Sequence, residues 1–155
     1  MPMIQTTRRS LLTVSAAALA LAALPRVALA ATAPIFAEGG IAINGTDPVA
    51  YFTENRPVAG DPQFSTDYMG ATWYFASAEN LDQFRNAPEE FAPQFGGYCA
   101  YAASKGYIAP TVPEAWTIYE GKLYLNANLR ARELWQQDIP GNIALAQDNW
   151  PNILK

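Results

Sequence analysis

Two stretches of the chain alternate aromatic or β-branched residues with polar ones and break at a glycine. Residues 64–68 and 71–75 flank Met69-Gly70, and residues 115–119 and 122–125 flank Glu120-Gly121. Both read as β-hairpins, because side chains in a strand alternate faces and a glycine supplies the positive φ of a tight turn. In the second hairpin Trp116 and Ile118 alternate with Thr117 and Tyr119, as a half-buried strand requires.

Between and after the hairpins the period changes to that of a helix. Ser77 can cap a helix running to Arg85, with Leu81 and Phe84 on one face. Pro88 can open a further turn through Phe91. The alanine-rich run 98–105 stops at Gly106, which suits a short helix with a glycine cap. Asn128 can cap a helix through Gln137 with an apolar stripe of Leu129, Ala131, Leu134 and Trp135. A last helix, from Gly141 to about Asn149, offers Ile143, Ala144 and Ala146 to the core. Upstream, Asp47 can cap the piece that follows, with Pro48 as a first helical residue, while residues 31–36 show no period and read as a loosely held arm. The expected fold is α+β: a small single domain with two β-hairpins packed against short helices.

The first thirty residues differ from the rest. They hold no Asp or Glu, begin with Arg8 and Arg9, run apolar from Leu11 to Leu24 and end at Ala28-Leu29-Ala30. This is the layout of a secretory signal with an A-x-A cleavage site, and residues 7–13 resemble a twin-arginine export motif. Cleavage after Ala30 is expected, which places residues 31–155 in the periplasm with no stable membrane anchor. The run is alanine-rich and interrupted by Pro25 and Arg26, unlike the roughly 20 strongly apolar residues of a span.

Removing thirty of the 155 residues leaves 125, enough for one domain. With Arg8, Arg9 and Arg26 gone, seven basic residues face fourteen acidic ones, a net charge of −7. Such a surface repels phosphate backbones, so nucleic acid is not expected as a partner. A single cysteine, Cys99, forms no internal disulfide; in an oxidising compartment it must be buried, capped or paired with another molecule.

Several motifs carry a family resemblance. Asp47-Pro48-Val49 stands at the start, and Gly70, Tyr74, Phe75 and Ser77 follow in the hairpin frame. Phe84, Pro88 and Phe91 close the pattern. On these residues the chain resembles the YHS domain, a small module regarded as metal-binding. It is similar over residues 45–154 to an exported bacterial YHS-like subgroup, sharing residues 47–52, Gly96-Gly97-Tyr98-Cys99-Ala100, Leu123-Tyr124-Leu125-Asn126 and residues 138–143. The resemblance implies the fold above and a thiolate metal centre. Ala50, Ala76 and Asn80 stand where the family's cysteines would be, and the chain has no histidine.

The chemistry left to the residues is narrow. A zinc site wants four ligands, normally thiolate or imidazole, whereas the soft ligands of residues 31–155 are Cys99 and Met69. Copper(I), which accepts fewer and softer ligands, is the metal that this pair would suit, alone or with groups from a partner. Glu89-Glu90 fits the first turn of a helix, Gly96-Gly97 lacks the flanks of a phosphate loop, and histidine-based nucleophilic catalysis is excluded. Aromatic residues gather around Cys99 in sequence. Cys99, Tyr98, Tyr101, Trp116 and Asn126 are the candidate ligand-binding set, against the alternative that each is a core, cap or turn residue. The expected role is a binding or accessory protein for a metal ion, small ligand or protein partner, with no turnover of its own. The alternatives are a thiol-dependent redox enzyme centred on Cys99 and an interaction domain without a ligand.

Overall fold

Strand β4 (Ala71–Phe75) organises the domain, because Ala71, Trp73 and Phe75 all turn to one side and are buried there. The computed structural model describes residues 30–155, so the expected signal segment, but for Ala30 at its end, lies outside the described residues. β3 (Asp61–Tyr68) pairs antiparallel with β4 through the turn at Met69 and Gly70, whose φ values are 50° and 81°. Those left-handed values match the twist of the flanking strands, which explains why a glycine ends the turn. Two short strands, β1 (Ala37–Glu38) and β2 (Ile41–Ala42), complete a sheet of order β1-β2-β4-β3, with β2 parallel to β4. Two-residue strands carry too little alternation to be read from sequence.

Helix α1 (Ala50–Thr53) precedes the sheet's long hairpin, and α2 (Ala78–Asn86) follows it. Ser77 caps α2 as expected, its side chain accepting from Asn80 N, and Leu81 and Phe84 are buried on the inner face. The Phe84 ring lies 5.2 Å from Trp73 and 5.1 Å from Phe75, so helix and strand meet in one aromatic cluster. Burying such side chains contributes about 1.5–3 kcal/mol each. Pro88 opens α3 (Pro88–Phe91), and α4 (Ala100–Ser104) ends before Gly106, whose φ is 88°.

The second hairpin, β5 (Trp116–Tyr119) and β6 (Lys122–Leu125), turns at Glu120-Gly121 as expected. All four β5 residues are half-buried, whereas Leu123, Tyr124 and Leu125 of β6 are buried. Helices α5 (Leu129–Gln136) and α6 (Ile139–Asn149) cover a second cluster made of Phe95, Ala100, Ala103, Tyr124, Trp135 and Ala146. Tyr124 and Trp135 stack at 5.0 Å.

Three expectations are corrected. The arm at residues 31–36 is docked: Ile35 and Phe36 are buried, Thr32 N donates to Leu154 O, and Phe36 N donates to Gly96 O. Leu129 is 62% exposed and Ala144 is exposed, because α5 buries Trp135 and half-buries Ala131 and Leu134 on another side, and α6 turns Ala146 inward instead. Finally, α6 starts at Ile139 rather than Gly141, since the Asp138 side chain accepts from Gly141 N and Pro140 fits the first turn.

Candidate functional site

Asp47 is an aspartate with no exposed surface at all. Its Oδ1 accepts from Val49 N at 2.8 Å and Ala50 N at 3.2 Å, which closes the entry to α1. Its Oδ2 accepts from Ala76 N at 2.8 Å, just past the end of β4, and from Asn80 Nδ2 at 2.7 Å in the first turns of α2. Four N–H groups from three separate segments therefore meet on one carboxylate. Neither ion pair among the described residues includes Asp47, so these donors alone compensate the buried charge. The cap expected from the sequence is present, and it reaches further than a cap.

The three segments are those whose hairpin and helix frame carried the resemblance. Residues 49–95 match the YHS domain. No curated protein and no solved structure matches the chain. In the YHS segment the positions that the resemblance assigns to thiolates, Ala50, Ala76 and Asn80, do converge. They bring two methyl groups and an amide that donates to Asp47, and both Asp47 oxygens are already engaged. Among the described residues no group of three or more His, Cys, Asp or Glu side chains is placed to hold a metal ion. The residues present do not fit a YHS metal centre.

A second locus lies outside the YHS segment. Cys99 is 1% exposed and takes the cap position of α4, its Sγ accepting from Ala102 N at 3.4 Å. The thiol donates to Asn126 Oδ1 at 3.5 Å, and the same oxygen accepts from Tyr101 N at 3.0 Å. Asn126 is fully buried just after β6, held by its own backbone N–H to Ala115 O and by Val112 N to its carbonyl. Its Nδ2 has no partner among the described residues; the only other such buried atom is Trp135 Nε1. An unpaired buried amide costs about 1–3 kcal/mol unless a water or a bound group accepts from it.

Cys99 lines a cavity of about 260 Å³, whose wall does not include Asn126 itself. Tyr101, Tyr107, Arg130, Ala131 and Leu134 form much of the rest. Arg130 is the cation in the cavity wall, and the Lys105 ammonium sits 4.9 Å from the ring centroid of Tyr101, another wall residue.

The candidate set is thus divided. Cys99, Tyr101 and Asn126 come together. Tyr98 faces the N-terminal arm: its hydroxyl donates to Ala33 O at 2.8 Å, its ring packs 5.8 Å from Phe36, and burial pushes its pKa up. Trp116 stacks on Tyr51 at 5.4 Å, in the first core cluster. Met69 is 52% exposed on the β3–β4 turn and lines a different cavity, beside Glu89 and Trp150, so the structure does not pair it with Cys99. Arg130 and Ala131 were not singled out for the site from the sequence, because the packing of α5 over α4 is tertiary and leaves no local signal.

Proposed function

We propose that this chain is an exported, periplasmic binding or accessory protein that holds a small ligand in the cavity over Cys99 and performs no chemistry on it. The observation that carries the reading is the cavity of about 260 Å³ walled by Cys99, Tyr101 and Arg130, with Asn126, its NH₂ unpaired, buried behind Cys99 and Tyr101 and sharing its oxygen between them. The cavity wall combines apolar surface from Ala131 and Leu134 with tyrosines and one guanidinium, the mixture by which small-molecule sites bind and orient. That suits a small ligand with an apolar body and an acceptor or anionic end.

The YHS match supports a binding role in general. The acid-free N-terminal thirty residues with Arg8-Arg9 and Ala28-Leu29-Ala30 support export. The redox alternative has little to build on: Cys99 is buried, and the sequence holds no second cysteine to resolve an oxidised thiol. Copper has no ready ligand set, since Met69 and Cys99 line separate cavities.

The test is amide-resolved NMR of residues 31–155 titrated with a mixture of small carboxylates and neutral analogues. Shifts confined to Tyr101, Ala102, Ala131 and Leu134, abolished by Leu134→Trp, are expected. Shifts elsewhere, or shifts indifferent to Leu134→Trp in a folded variant, would place the ligand at another site.

A further inference from the structure

A buried carboxylate without a cation is uncommon, since burying a charge costs several kcal/mol unless hydrogen bonds replace its water. Asp47 meets that requirement in full. Its two oxygens accept four N–H bonds, at 2.7–3.2 Å, and the donors come from the α1 entry, the residue after β4 and the α2 side chain of Asn80. Asn80 also gives its backbone N–H to Ser77 Oγ, so one residue serves both the helix cap and the carboxylate. These are separated by 29 and 33 positions in sequence from Asp47, so the contacts are tertiary and not merely local caps.

We infer that the Asp47 carboxylate, and not a metal ion, is the tie that closes this part of the fold. A metal centre would draw residues 50, 76 and 80 together through side-chain ligands. Here the same three positions are drawn together by one anion, through two backbone N–H groups and one carboxamide. The polarity of the site is inverted: a negative centre ringed by donors, where a metal is a positive centre ringed by acceptors. A cation entering this point would find its neighbours presenting hydrogen atoms. Ala50 and Ala76 add no side-chain ligand and the Asn80 amide donates to Asp47, so the domain reaches its fold without a metal.

The substitution Asp47→Asn tests this directly. Whichever way the new amide turns, its NH₂ faces two donors, either Val49 N and Ala50 N or Ala76 N and Asn80 Nδ2. Asn80→Ala removes a single donor and leaves the carboxylate in place. Residues 31–155 are melted with and without a strong zinc and copper(I) chelator, and amide hydrogen exchange is followed at Val49, Ala50 and Ala76.

The wild-type midpoint is expected to be unchanged by chelator. Asp47→Asn is expected to lower it by about 10 °C and Asn80→Ala by about 4 °C, with neither restored by added zinc or copper(I). Exchange protection should fall in Asp47→Asn at Ala76 or at the Val49 and Ala50 pair. If Asp47→Asn does not fold, Asn80→Ala decides alone. A chelator-induced fall in the wild-type midpoint would overturn the inference, as would an Asp47→Asn or Asn80→Ala melt equal to wild type. Recovery of Asp47→Asn on adding metal would overturn it too. These outcomes are independent of the Cys99 cavity, which lies outside the segment.

Discussion

Replacing Gly96 by alanine should detach the N-terminal arm, and the loss can be divided into two parts. Gly96 has a φ of 62°, and a Cβ built there would overlap the Pro34 carbonyl oxygen. The left-handed backbone alone costs an L-residue about 1–2 kcal/mol. The overlap falls on backbone, so no rotamer relieves it and the arm must move. Moving it breaks the Phe36 N–Gly96 O bond and exposes Ile35 and Phe36, whose burial contributes about 1.5–3 kcal/mol each. Partial release should bring the total to about 3–5 kcal/mol by urea denaturation. The slope m should fall as well, because less surface remains to be exposed on unfolding. Deleting residues 31–36 supplies the other corner of a double-mutant cycle. In that shortened chain Gly96→Ala should cost only the backbone part, about 1–2 kcal/mol. Equal costs in both backgrounds, with m unchanged, would show that the arm contributes nothing and refute the docking described above.

Alkaline pH should weaken the fold. Burial raises the pKa of Tyr51 above the ordinary range, helped by the Glu114 carboxylate, and burial likewise raises those of Tyr98 and Tyr124. Unfolded tyrosines ionise near pH 10 while these stay protonated in the fold, so the unfolded state binds fewer protons there. Stability is therefore full below about pH 10 and is lost as pH rises beyond it; a urea midpoint unchanged between pH 9 and pH 11 would contradict this. Cys99 should be alkylated slowly in the folded protein and rapidly after denaturation, as its burial and its contact with Asn126 require; equal rates in the two states would remove the burial argument. Replacing Arg8 and Arg9 together by lysine should block export by the twin-arginine route, and N-terminal sequencing of exported wild type should begin at Ala31. Unchanged export of the double-lysine variant would exclude that route.

What could be read from the sequence follows from range. The hairpins were legible because Met69-Gly70 and Glu120-Gly121 sit between alternating aromatic residues, a pattern confined to about a dozen positions. The caps at Ser77 and Asn128 were legible for the same reason: each side chain bonds an N–H three residues on. Strands β1 and β2 escaped because two residues contain no period, and the arm escaped because its partners lie at Gly96, Tyr98 and Leu154. The site divides in the same way. Cys99 and Tyr101 stand together in the chain, but the Asn126 oxygen that joins them comes from 27 and 25 residues away. Asp47 was legible as a cap through Val49 and Ala50; its hold on Ala76 and Asn80 was not, because only the folded hairpin brings them near.

The most direct measurement is native mass spectrometry of the protein isolated from its native cells, with elemental analysis of the same sample. The expected species is residues 31–155 without a metal ion, carrying a dissociable small-molecule adduct that Leu134→Trp no longer retains. A stoichiometric zinc or copper ion removed by chelator, or an adduct retained equally by Leu134→Trp, would contradict a metal-free domain that binds its ligand over Cys99.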